Sequence, residues 1–375
     1  MDYYLENESM GMLEKNKALF ASIGSTFQNP MVDPREEHEH QIDTFKMYSS
    51  FLKEKDGLLK IIDEICKYSV DPNTKETKTI TSLQSLIEYK NRTIMILTSY
   101  QEQPGLLDPI LPIIIPQMTS TSLKLIEIAL KDDSNKNNFE FITCIYQIIY
   151  IICKVRGFSP IAKFFSSEVS IFENVILFLV KQPYENVNSW YVNYVLVLWT
   201  SILAMVPFDI DTIDTQGELI NKLIEYLKQE LTRSTNLRII TAYAISKFLT
   251  RPDLIKKKHL ENYFNYCTSV LFDKEQNYDI FKVLGIVLSL CEIFKNGLPK
   301  DLISFVDPVI NKILTFNYPE KAILNSGVFR KTMTKLIQRV GLVLLKPRPQ
   351  TWRYHMNVKK MLDKTNNEDK NESKI

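Results

Sequence analysis

An all-α fold of stacked helical hairpins is what this sequence predicts, and three observations predict it. Apolar residues recur at helical spacing from Ile42 onward, with no strand-like alternation in competition. Glycine is scarce, 10 residues in 375, while Leu, Ile, Lys and Glu are plentiful, which is poor material for the tight turns of a barrel or sandwich. Segments apolar nearly all round alternate with amphipathic ones, as pairs of one buried and one half-exposed helix require. No strict repeat recurs at the spacings of about 33 or 34 residues typical of ankyrin and tetratricopeptide arrays. Degenerate repeats of about 40 residues remain, which is an α-solenoid of HEAT/armadillo-like helical hairpins.

The elements follow in order. Residues 1–40 are weakly periodic, hold Pro30, Pro34 and the charged run REEHEH, and read as a mobile arm; residues 41–363 read as the helical-repeat array and 364–375 as a polar tail or truncated linker. Polar turns at 70–77 and 131–138 separate helical segments. Thr81 with Gln84, Ser170 with Glu173, and Thr215 with Glu218 have the capping-box spacing, in which each side chain satisfies a free backbone N–H of a first helical turn. The run FITCIYQIIYIIC (141–153) is apolar all round. Residues 189–208 are 20 residues without a charge, long enough to span a bilayer. Their polar and small residues Ser189, Asn193, Thr200, Ser201 and Ala204 form one narrow stripe, and no Lys or Arg flanks them closely, so a buried central helix is the better reading and no membrane span is expected. Leu219, Ile220, Leu223, Ile224, Leu227 and Leu231 share one helix face. Ile280, Val283, Leu284, Val287, Leu288, Cys291 and Phe294 do likewise, as do Phe329, Met333, Leu336, Ile337, Val340 and Leu344.

Composition excludes several function classes. A hydrophobic share of 45% and a charged share of 24% suit a folded chain, and a net charge of +2 is too small for whole-chain nucleic-acid binding, so no nucleic-acid partner is expected. Five well-separated cysteines among Ile, Tyr and Phe read as free thiols in a reducing compartment. Met1–Asn16 carries four acids and no apolar run, which is unlike a secretory signal; the expected location is cytoplasmic. There is no phosphate loop, CxxC pair, HExxH motif or nucleophile elbow, so no enzymatic activity, cofactor or metal is expected. His38 and His40 could offer imidazoles to a metal, but a solvated charged run is the better reading of that arm.

Two clusters are candidates for partner binding. KPRPQTWRYHMNVKK (346–360) holds Lys346, Arg348 and Arg353 beside Trp352 and Tyr354 with no acid. It could grip an acidic partner, although a helix-end linker with solvated bases explains the same residues. Lys154 and Arg156, followed by Gly157, close the apolar run; there cations complement the helix dipole and Gly can take a left-handed cap, with partner binding as the other reading.

Five ordered strings go beyond periodicity: YQEQPGLLDP (100–109), ICKVRGF (152–158), YVLVLWTSILAMVPFDI (194–210), FLTRPDL (248–254) and LIQRVGLVLLKPRPQTWRY (336–354). Together they resemble the N-terminal region of the tubulin-folding cofactor D family, from about Tyr100 to Tyr354. The resemblance implies a HEAT-type chaperone, cytoplasmic and cytoskeleton-associated, that takes β-tubulin after its release from the chaperonin. It implies as partners tubulin cofactors C and E and an ARF-like small GTPase, in a complex that assembles and takes apart the αβ-tubulin dimer and promotes GTP hydrolysis by tubulin. Family members are much longer. The chain is therefore expected to be a fragment cut at a linker, an incomplete product, or a short form whose last helix, about 351–363, caps the array. A generic helical-repeat scaffold for another protein cargo is the alternative.

Overall fold

The computed structural model describes residues 52, 54–67, 81–131, 136–181, 190–214, 217–232, 237–272, 279–314, 323 and 325–345. The chain divides into two units, Met1–Lys55 and Asp56–Ile375, and the helical array belongs to the second. Among the described residues there is no strand.

The longer helices are α1 (Lys55–Lys67), α2 (Thr81–Ser99), α3 (Leu111–Lys131), α4 (Lys136–Arg156), a short α5 (Phe158–Ala162), α6 (Phe172–Lys181), α7 (Trp190–Leu203), α8 (Glu218–Leu231) and α9 (Leu237–Leu249). They continue as a short α10 (Pro252–Lys256), α11 (His259–Phe272), α12 (Ile280–Asn296), α13 (Pro299–Pro308), which runs on as a π-helical turn over Val309–Leu314, and α14 (Gly327–Leu344). The successive pairs α3/α4, α6/α7, α8/α9 and α13/α14 pack together, and Tyr263 Oη lies 2.6 Å from Ser289 Oγ between α11 and α12, so that the members of the pairs form two columns. The second column runs α2, α4, α7, α9, α12, α14, each helix packed on the next. In the first, α3, α6 and α8 follow one another, and the Phe264–Phe305 ring stack at 4.2 Å joins α11 to α13. This is the HEAT/armadillo-type α-solenoid that the sequence predicts.

Burial follows column position. Helix α7 has neighbours on every side, and Val192 to Leu203 are all buried. Two of its polar residues bond their own backbone: Thr200 Oγ1 donates to Val197 O at 2.9 Å and Ser201 Oγ to Leu198 O at 2.6 Å. The uncharged run of 20 residues does not form one helix. It gives 14 helical residues from Trp190 and then a turn. By length and composition, one helix among the described residues could cross a membrane, and that is α3, whose apolar window is 44% buried.

On α8 the expected face is buried at Ile220, Leu223, Ile224, Leu227 and Leu231. Gly285 lets α12 approach the end of α8 closely, since a Cβ there would stand 2.2 Å from Leu231 O. On α14, Phe329, Leu336 and Val340 are buried as expected, whereas Ile337 and Leu344 are 54% and 53% exposed. The reason is position: no described helix follows α14 in the second column.

The capping expectations fare unevenly. Thr81 opens α2, but its side chain, like all of Thr215, lies outside the described residues. Ser170 caps nothing; it sits in a 3-10 turn and its Oγ donates to Glu168 Oε2 at 3.4 Å. At α8 the cap is Asp214, whose carboxylate accepts from Ile220 N at 2.8 Å across Gly217, which takes φ 73°. The arm over 1–40, the last expected helix over 351–363 and the tail lie outside the described residues.

Candidate functional site at the ends of the second-column helices

The family-like strings share a place in the fold. Residues 100–109 follow α2, 152–158 end α4, 194–210 end α7 and run past it, 248–254 end α9, and 336–345 end α14. Each therefore lies at, or just after, the C-terminal end of a second-column helix, where backbone carbonyls lack intrahelical donors.

Two arginines join these strings across the stack. Arg156, in the last turn of α4, makes a bidentate pair with Asp108 in the loop after α2, Nε at 2.6 Å and Nη2 at 2.9 Å. Gly157 follows at φ 89° and ψ 147°, a conformation open in practice to glycine alone, though not the left-handed helical cap expected of it. Lys154 is exposed beside them.

Arg251, two residues past α9, reaches into the turn after α7. Its Nη1 donates to Ala204 O at 2.6 Å and Val206 O at 3.0 Å, and its Nη2 donates to Phe208 O. Its Nε and Nη2 also bond Asp253, at 3.0 Å to Oδ1 and 2.9 Å to Oδ2 respectively. The same carboxylate accepts from Ile210 N at 3.3 Å and Leu254 N at 3.0 Å. Burial by itself pushes the Asp253 carboxyl up, but the bonds from Arg251 and from the Ile210 and Leu254 N–H groups, with the Arg251 charge, outweigh it and hold the group below its ordinary value. The local sequence explains the geometry: Pro252 holds Arg251 extended (ψ 140°) and opens α10, which places Asp253 in its first turn.

Around this clamp lies a cleft of about 680 Å³ lined by Met205, Pro207, Lys247, Thr250, Lys256 and Lys257, among others. With its carbonyls gripped, the turn presents Met205, Pro207 and Asp209 outward, all exposed. The cleft has apolar and cationic walls over a fixed backbone, which suits holding a partner. Among the described residues, no three His, Cys, Asp or Glu side chains gather as metal ligands. All five cysteines are buried and free, and burial pushes every thiol up, Cys267 to about 12, so none is poised as a nucleophile.

Of the residues singled out from sequence, Arg156 is brought onto Asp108 and Lys154 stays at the surface, while Lys346, Arg348 and Arg353 lie outside the described residues. Arg251, Asp253 and Lys247 were not singled out. The signal available was the R-P-D order, an arginine fixed ahead of a helix-opening proline and an acid.

The family model for the tubulin-specific chaperone D-like ARM repeat matches residues 97–271. The tubulin-specific chaperone D of Dictyostelium discoideum is 23% identical over 386 residues, covering 74% of this chain and 26% of that protein. The tubulin-folding cofactor D of Schizosaccharomyces pombe is 24% identical over 277 residues, 74% of this chain and 23% of that protein. The chain thus spans about a quarter of the length of these curated relatives. No solved structure matches significantly.

Proposed function

We propose, from the match of residues 97–271 to the tubulin-specific chaperone D-like ARM repeat, that this chain is a tubulin-folding module acting by protein binding and not by catalysis. The cargo is β-tubulin, and the setting is the cytoplasmic assembly and disassembly of the αβ-tubulin dimer with cofactors C and E and an ARF-like small GTPase. In that setting any GTP hydrolysis is chemistry of tubulin and not of this chain.

The observation that carries the reading is the placement of the family-like strings. They fall at one type of position, the ends of second-column helices, and Arg156 and Arg251 fasten successive ones together. A generic scaffold would share the hairpins but has no reason to share those strings. Lys154, Lys346, Arg348 and Arg353 are proposed contributors to the grip, and Arg156 fixes the 100–109 loop beside Lys154.

The test is affinity capture from cytosol with the full chain as bait, probed for β-tubulin and for the two cofactors. β-Tubulin should be retained, and the triple variant Lys346→Glu, Arg348→Glu, Arg353→Glu should retain less of it at low salt than at high salt relative to the parent. If the folded parent retains no β-tubulin at any ionic strength, this chain alone is not a β-tubulin-binding module.

A further inference from the structure

Charge is not shared evenly between the two columns. Helices α9, α12 and α14 carry eight Lys or Arg residues and a single acid, Glu292. Their first-column partners α8, α11 and α13 carry three Lys and six Asp or Glu. The chain as a whole is only +2, so the asymmetry is one of placement.

Four of the eight, Lys247, Lys295, Lys335 and Arg339, lie together where the three second-column helices pack side by side, while Arg238 lies apart, over the Phe281 ring in the first turn of α12. Lys247 on α9 sits over the Tyr243 ring, 5.3 Å from its centroid, and Tyr243 meets Phe158 at 5.4 Å. Asn296 ties α12 to α9 through Ser246 Oγ at 2.9 Å. Lys295, one residue earlier, lies 3.3 Å from Glu292, so the one acid of the strip already has a partner. From α14, Lys335 and Arg339 come close enough to the Cys291 thiol to act on it together with Lys295 and Glu292. Lys295 and Lys335 are exposed, and Lys247 and Arg339 are half-buried. Burial and the neighbouring Lys295 push the Lys247 ammonium down more than Glu292 pushes it up, a cost that an incoming carboxylate would relieve.

We propose that the strip formed by Lys247, Lys295, Lys335 and Arg339 across α9, α12 and α14 is a docking surface for an acidic peptide segment of a partner protein. Charge complementarity selects an anion, and the setting selects a peptide. Tyr243, half-buried beneath Lys247 and against Phe158, gives the strip an aromatic face that suits side chains better than a phosphate backbone. The strip runs into the cleft beside Arg251, whose lining shares Lys247. The inference stands apart from the β-tubulin reading and is tested with no tubulin present.

The probe is a fluorescein-labelled poly-glutamate peptide titrated with the full chain and read by anisotropy at low and high salt. Binding should weaken with salt, and the variant Lys247→Glu, Lys295→Glu, Lys335→Glu should weaken it about tenfold or more at low salt. A control with the same net charge, Lys60→Glu, Lys131→Glu, Lys300→Glu, changes exposed lysines outside the strip and should stay within about twofold of the parent. Circular dichroism checks both folds, and if the first triple is unfolded, the milder Lys→Gln triple at the same positions should still lose affinity where its control does not. Equal losses in strip and control variants, or none in either, would overturn the proposal. So would tighter binding of a duplex oligonucleotide or of phosphatidylserine vesicles than of the peptide. Loss of β-tubulin capture with peptide binding intact would count against the proposed cargo and leave the strip standing.

Discussion

The end of α4 and the end of α7 face the same structural problem and solve it at different depths. At each, an arginine ties the loop after one second-column helix to the end of the next. At α4 the fastening is Arg156 on Asp108, an arginine and a carboxylate whose side chains are 30% and 47% exposed. At α7 it is Arg251, 10% exposed, which bonds three carbonyls as well as the Asp253 carboxylate, and Trp199 lies wholly buried in the same helix with its Nε1 donating to Ser166 O at 2.8 Å. The difference teaches that an arginine in a helix-end string says little about its worth. Its depth decides, because water competes for the guanidinium at the first site and largely does not at the second.

Four measurements test that contrast. Trp199→Ala removes the largest wholly buried side chain among the described residues and its bond to Ser166, and should cost about 3 to 5 kcal/mol in denaturant unfolding. A variant that unfolds with the parent would place Trp199 outside the core. Arg251→Ala strands Asp253 and frees three carbonyls together, and a loss of about 3 kcal/mol is expected. Arg251→Lys should recover only part of it, since an ammonium cannot reproduce the planar fork.

The third measurement uses acid. The Asp253 carboxyl is held below its ordinary value of 3.8, so its contribution is fully present above that pH and is lost as pH falls through the lower folded-state value. The stability gap between the parent and Asp253→Asn should therefore narrow below about pH 4 and close in stronger acid. A gap that stays constant down to that range would mean that the carboxylate charge is not what holds the turn. Smallest of all, Arg156→Ala should cost no more than about 1 kcal/mol and lose what effect it has at high salt. A cost equal to that of Arg251→Ala would erase the contrast.

Much of the fold is legible in the sequence because helical periodicity is local. The buried face of α8 and the central place of α7 follow from side-chain spacing alone, whereas on α12 Val283, Val287, Cys291 and Phe294 are buried as expected but Ile280, Leu284 and Leu288 are half-buried, and Ile286, Leu290 and Ile293 are buried instead. Ile337 and Leu344 show where that reasoning stops: an apolar stripe records what a helix could bury, and only its neighbours decide what it does bury. The Ser170 cap fails for a related reason. Ser170 with Glu173 has the right spacing, but a 3-10 turn precedes the helix and puts the serine one element too early.

The site is less legible than the fold. Arg156 stands out as a cation at a helix end, yet its partner lies 48 residues upstream, and nothing in the spacing announces it. Arg251 draws no notice as a charge at all, because its chemistry is with carbonyls, which every residue has. The basic strip is equally hidden. Lys247, Lys295 and Lys335 are far apart in sequence, and the small net charge masks a segregation that only the two columns reveal.

The grip of Arg251 on the turn after α7 also bears on how the array comes apart. A stack of hairpins behaves as a row of units, each stabilised by itself and by its coupling to the units on either side. Arg251 belongs to the α8/α9 hairpin and holds the α6/α7 hairpin, so it strengthens one coupling in the row, whereas Arg156 adds little to the coupling nearer the N-terminus. The row then has a stiff joint and a soft one. Partial unfolding should travel as a front from the soft end and halt at the stiff joint, leaving α6 to α9 as the last cooperative block to exchange its amide hydrogens.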